Sequence, residues 1–134
     1  MKKNSILNSI VLFLLSIALI SCEGETVIER SVKNETSNTI TVKASLPGNS
    51  NYTKTIEIGQ SELLYLGGDG MGASSQVEYP ASGINSMVII NSTGDTCLKD
   101  YTIENNWEIY VEHTKKTPSR YNHKYDFVVF DSDF

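Results

Sequence analysis

The sequence predicts an all-β protein, a single antiparallel β-sandwich of Ig-like or transthyretin-like layout behind an N-terminal apolar leader. Three observations carry that prediction. Apolar and polar residues alternate with a period of two along several short segments. Clusters of Gly, Pro, Asn, Asp and Ser punctuate those segments, and beyond the leader no apolar pattern supports a long helix. About eight or nine short strands at this spacing suit two stacked sheets better than any helical fold.

Taken in chain order, Val27–Val32 is β-branched but irregular, and Asn34-Glu35-Thr36-Ser37-Asn38 reads as a hairpin connection to the next strand. Ile40, Val42 and Ala44 alternate with Thr39, Thr41, Lys43 and Ser45, the pattern of a half-buried strand. Pro47-Gly48-Asn49-Ser50-Asn51 is a strong turn signal. Tyr52, Lys54, Ile56 and Ile58 then alternate with Thr53, Thr55 and Glu57, until Gly59-Gln60-Ser61 breaks the run before Leu63–Leu66.

Gly67-Gly68-Asp69-Gly70-Met71-Gly72 reads as a flexible loop at one end of the sandwich. Gln76–Tyr79 is a candidate short strand stopped by Pro80. Met87–Ile90 has the continuous apolar character of a buried strand, and Ser92-Thr93-Gly94-Asp95 turns it back into Cys97–Tyr101. Trp107–Val111 fits a strand or, with Asn105 or Asn106 as N-cap, a helix; its aromatic and β-branched content favours the strand. Thr114–Lys124 is a polar stretch read as a loop, and Tyr125–Phe130 is the closing strand.

The leader has the three parts of a secretory signal. Lys2 and Lys3 precede an apolar run from Ile6 to Ile20, and the run ends at Leu19-Ile20-Ser21-Cys22. Its 15 residues would span roughly 22 Å as a helix, against a hydrocarbon core of about 30 Å, which disfavours a permanent span. The terminal four residues resemble the lipobox of bacterial lipoproteins. That resemblance implies cleavage between Ser21 and Cys22 and acylation of Cys22, with residues 1–21 removed, 22–26 as a short tether and 27–134 as the sandwich domain. Two or three acyl chains, each worth about 0.8 kcal/mol per buried methylene, would hold such a protein on its membrane. Glu23 and Glu25 resemble, incompletely, the acidic stretch that marks surface export in lipoproteins of Bacteroidota. The implied address is the cell envelope, at the outer membrane, with either leaflet open.

Composition narrows the partners. The chain has 11 Lys+Arg and 16 Asp+Glu; loss of Lys2 and Lys3 leaves 9 against 16, or −7. Nucleic acid would be repelled, and anionic headgroups are disfavoured. With Cys22 acylated, Cys97 is the remaining cysteine, so no disulfide framework exists and Cys97 reads best as a small core filler.

The residue types that carry chemistry are sparse. Gly67–Gly72 lacks the Lys-Ser/Thr of a phosphate loop. His113 and His123 are the two histidines, both in polar surroundings and with no G-x-S-x-G elbow in the chain. His123 and Asp126, with Asp131 and Asp133 nearby, are the best metal-ligand grouping, although a charged C-terminal tail explains the acids more simply. Neither a metal site nor a cofactor is predicted. Eight of the 11 aromatics beyond the leader lie from Tyr101 onward, and exposed Tyr or Trp can stack on sugars or anchor a protein. Tyr121, Trp107 and Tyr110, with Gly70 in the glycine loop, are therefore the candidate binding residues.

Ser86–Thr96, Asn105-Asn106-Trp107 and Tyr125–Phe130 together resemble the small β-rich lipoproteins of Bacteroidota. In those a strand–turn–strand hairpin precedes a tyrosine-rich closing strand. This chain has Thr93-Gly94-Asp95 where an Asp-Gly turn is usual. The resemblance implies a fold and an address, not a reaction. The expected function is a non-enzymatic, membrane-tethered module that binds a protein or glycan. Alternatives are an inhibitor or immunity-type lipoprotein against an envelope-attacking enzyme, and a small metal-dependent hydrolase using His113 or His123.

Overall fold

The computed structural model describes residues 24–69 and 72–134. The expected leader of residues 1–21, the expected cleavage and acylation at Ser21–Cys22, and Gly70 lie outside the described residues. Seven strands are present among the described residues: β1 (Glu25–Asn34), β2 (Ile40–Leu46), β3 (Ser50–Ile56), β4 (Ser61–Asp69), β5 (Ser86–Asn91), β6 (Glu108–Lys116) and β7 (Ser119–Val129). They form a four-stranded sheet of order β4-β1-β7-β6 and a three-stranded sheet of order β3-β2-β5. The fold is all-β and sandwich-like.

Alternation explains the three-stranded sheet. Ile40, Val42, Ala44 and Leu46 turn inward from β2, and Met87 and Ile89 from β5. Val32 of β1 and Phe127 and Val129 of β7 meet them from the other sheet in one cluster. Each of these side chains larger than Ala44, fully buried, contributes about 1.5–3 kcal/mol. Trp107, just before β6, seals this core against Phe127 with ring centroids 5.1 Å apart, and its indole N–H donates to the Tyr101 carbonyl at 2.6 Å. Asn105 and Asn106 belong to a short 3-10 turn over Glu104–Asn106, and the segment beyond Trp107 is strand.

One pair departs from the antiparallel expectation. β1 and β7 run parallel, from Glu25 opposite Arg120 to Asn34 opposite Val129. A parallel pair needs a long crossover, and almost the whole domain lies between these strands.

Four local expectations are corrected. Residues 35–39 form a corner between sheets rather than a hairpin, because both edges of β1 are occupied by β4 and β7. Asn34 staples that corner: its amide donates to the Asn38 and Ile56 carbonyls, and its Oδ1 accepts from the Thr36 N–H and hydroxyl. Gly67 and Gly68 belong to β4, paired with Ile28 and Val27. Gln76–Tyr79 is not a strand. The return after the Ser92–Asp95 turn is one bridge, Ile90 to Thr96, since the chain then leaves to meet the other sheet, where Leu98 N–H donates to the Asp133 carbonyl.

The polar stretch Thr114–Lys124 is mostly strand as well. β6 and β7 form a long hairpin across it, with Thr114 the extra residue of a bulge. His123 is buried, not solvated.

Candidate functional site

The inner face of the four-stranded sheet can be read row by row from the register. Thr26 lies opposite Tyr121, Ile28 opposite His123, Arg30 opposite Tyr125, Val32 opposite Phe127 and Asn34 opposite Val129. On the far side of β7, Ile109, Val111 and His113 continue the Tyr125, His123 and Tyr121 rows. β4 adds Tyr65 beside Arg30 and Gly67 beside Ile28.

The apolar rows meet the three-stranded sheet. The polar rows meet something else: residues 72–85, an irregular strap that leads from β4 to β5. Five of its backbone groups bond to side chains of this face. Thr26 Oγ1 donates to the Gly72 carbonyl at 3.2 Å and accepts from the Ser74 N–H at 2.9 Å. His123 Nε2 lies 2.8 Å from the Ser74 carbonyl, so this nitrogen carries the donated proton. The Tyr125 hydroxyl accepts from the Glu78 N–H at 3.0 Å, and Arg30 Nε donates to the Pro80 carbonyl at 2.7 Å. At its far end the strap is pinned to β2 by Asn85, whose N–H donates to the Ser45 carbonyl.

Arg30 is the chemical centre of this region. Its side chain is 2% exposed in a sheet interior, a position that costs several kcal/mol unless the charge is compensated. The guanidinium carbon lies 5.7 Å from the Tyr65 ring centroid and 5.3 Å from that of Tyr125. Burial pushes the Tyr125 phenol above its ordinary range, with the Arg30 charge opposing. Glu78, on the strap, brings Oε2 to 3.6 Å from Arg30 Nη2 with its own side chain half exposed.

Two concavities flank the strap. One of about 610 Å³ lies between β1 and the strap, bordered by Thr26, Ser74, Gln76, Glu78 and Tyr79. A smaller one of about 230 Å³ opens beside Arg30, between Tyr65, Gly67, Gly83, Ser82 and Glu78. Its width depends on missing side chains. A Cβ at Gly67 would lie 2.7 Å from the Tyr65 ring, and one at Gly68 would lie 2.5 Å from the Thr26 carbonyl.

The structure separates the aromatic residues that the sequence singled out. Trp107 is core, 6% exposed. Tyr110 lies in the row of Lys124 on the outer face, where it donates a hydrogen bond to Glu108. Tyr121 is half-buried on the inner face, stacked on His113 at 4.5 Å and edge-on to His123. His113 Nε2 lies 3.0 Å from the Ser119 hydroxyl.

The acids and Cys97 are dispersed too. His123 and Asp126, three apart on a strand, point to opposite faces, and Asp126 pairs with Lys124 at 2.9 Å. Asp131 and Asp133 cap backbone N–H groups of Ser37 and Phe130. Among the described residues no three His, Cys, Asp or Glu side chains gather as a metal site. Cys97 packs half-buried against the core, and desolvation pushes its thiol pKa up, which lowers its thiolate fraction.

The residue that sequence reasoning passed over is Arg30. Its signal is positional: it falls in phase with Ile28 and Val32, where alternation demands an inward side chain. Compared with family models, curated proteins and solved structures, the chain matches none.

Proposed function

We propose that the protein is a lipid-anchored, non-enzymatic binding module of the cell envelope, which offers the strap-covered end of its sandwich to a protein or glycan partner. One observation carries this reading. Half of a rigid, buried sheet face is covered by irregular chain, leaving a polar concavity beside fixed aromatic and charged groups. Recognition surfaces are commonly irregular segments held on a rigid scaffold.

Position sharpens the reading. β1 opens at Glu25, so acylation at Cys22 would leave three residue steps, about 10 Å, between lipid and sheet. Thr26, Gly72 and Ser74 lie at that same end, as does the start of β7. The partner is therefore one met close to the bilayer.

A photo-crosslinking residue placed at Tyr121, and separately at Phe130 toward the opposite end, tests this in intact cells carrying the full-length chain. A discrete higher-mass adduct from position 121, absent from position 130 and lost in Cys22→Ser, supports it. Adducts from position 130 alone, or from neither, overturn it. Metabolic labelling with a palmitate analogue checks the anchor, and label retained by Cys22→Ser would remove it.

A further inference from the structure

Resting on the binding-module reading, we propose that the cavity beside Arg30 is a carboxylate-binding site, in which the ligand displaces Glu78 from the guanidinium. A guanidinium presents five N–H donors in a planar fork. Among the described residues one donor is used in a hydrogen bond, Nε to the Pro80 carbonyl. The Glu78 contact at 3.6 Å is too long for a hydrogen bond, and Glu78 is 53% exposed. A charge this deeply buried is thus compensated by one carbonyl, two ring faces and a loose, solvated carboxylate.

The fork is held still. The Pro80 bond fixes one edge, and Tyr65 and Tyr125 stand 5.7 and 5.3 Å from the guanidinium carbon. Such preorganisation lowers the cost of bidentate recognition. Space is present beside it because Gly67 and Gly83 contribute no side chain; a Cβ at Gly83 would lie 3.3 Å from the Tyr65 ring. Ser82 adds a hydroxyl to the wall.

Charge selects the ligand class. Once Glu78 is displaced, the one guanidinium balances one negative charge, so a phosphate dianion would leave a second charge with no further cation to offset it. A planar monoanion fits the fork after a simple exchange: one carboxylate leaves and another enters. An α-carboxylate can come from a peptide C-terminus or from a free amino acid. In the second case the displaced Glu78 is placed to accept the α-ammonium.

The test is a titration of the isotope-labelled, lipidated protein as processed in the cell, in detergent, following the backbone amides of Ser82 and Gly83. N-acetylglycine stands for a peptide terminus, glycine for a free amino acid, and N-acetylglycinamide for the same shape without the charge. Saturable shifts with either carboxylate, and none with the amide, are expected. Tighter binding of N-acetylglycine identifies a peptide terminus; tighter binding of glycine identifies a free amino acid. Glu78→Gln should tighten N-acetylglycine about threefold, since a weak competing ion pair is removed. Arg30→Lys, which keeps the charge and loses the fork, should weaken it about tenfold; if that variant does not fold, Glu78→Gln decides. Absence of saturation with both carboxylates, equal shifts from the amide, or an unchanged affinity in Glu78→Gln overturns the site. Failure here with end-specific cross-linking intact defeats this site alone. Saturable titration without cross-linking defeats the wider reading and leaves the site.

Discussion

Along one face of β1 and β7, two ends follow different rules. At Val32, Phe127 and Val129 the face is apolar and meets the three-stranded sheet. At Thr26, Arg30, His123 and Tyr125 the same face is polar, equally buried, and meets the strap. The reason lies in the partner's backbone. A strand paired in its own sheet has its N–H and C=O groups satisfied and asks only for apolar contact. An irregular segment pressed onto a buried face has no ladder, so the face must supply its hydrogen bonds. Thr26, Arg30, His123 and Tyr125 do so, and the strap gains a defined path without becoming a strand.

The contrast can be broken most severely at the apolar end. Phe127→Ala should cost about 3–5 kcal/mol in chemical or thermal unfolding; a loss below about 1 kcal/mol would show that the sheet-packed end is not the main source of stability. Gly68→Ala probes the β1–β4 pairing beside the polar end, because its Cβ would press on the Thr26 carbonyl at 2.5 Å. About 1–3 kcal/mol should be lost, with faster amide exchange in β1 and β4; an unperturbed β1–β4 ladder would contradict the close approach.

At the polar end, Tyr125→Phe keeps the ring and removes the acceptor of the Glu78 N–H. Global stability should fall by about 1 kcal/mol, while Glu78 amide exchange rises more than exchange in β2 or β5. Uniform change across the molecule would mean that the strap does not move as a separate unit.

The smallest effect concerns pH. Burial raises the Tyr125 pKa, so the folded state disfavours phenolate. Above about pH 10 an unfolded tyrosine ionises while the folded one resists. The stability is therefore complete below that pH and declines as pH rises toward the folded value. Tyr125→Phe should flatten part of that decline, leaving the portions due to Tyr52, whose pKa burial also raises, and Tyr110, whose pKa its hydrogen bond to Glu108 raises.

Much of the fold was legible because local pattern was sufficient. β2 shows its two faces in the alternation of Ile40, Val42 and Ala44 with Thr41 and Lys43. Trp107 and the segment after it hold the strand and aromatic signals that settled the choice against a helix. The hairpin of β6 and β7 was obscured for a physical reason. Between Thr114 and Lys124 both faces carry polar residues, because the inner one meets a strap or lies open, so period-two hydrophobicity vanishes although the strand does not. Gly67 and Gly68 looked flexible, whereas the Tyr65 ring and the Thr26 carbonyl occupy the space their side chains would need.

The amino-acid order alone determined the all-β class and most turns, and it alone carries the apolar run from Ile6 to Ile20 on which the expected anchor rests, since each depends on neighbours a few residues apart. Tertiary structure alone decided that β1 joins β7 in parallel, that Arg30 and His123 lie inside, and that Trp107 is core rather than surface. Those outcomes depend on which backbone arrives from far along the chain: Pro80 reaches Arg30 across 50 residues and Ser74 reaches His123 across 49. A polar side chain is stable in an interior only where such a distant group completes its hydrogen bonds.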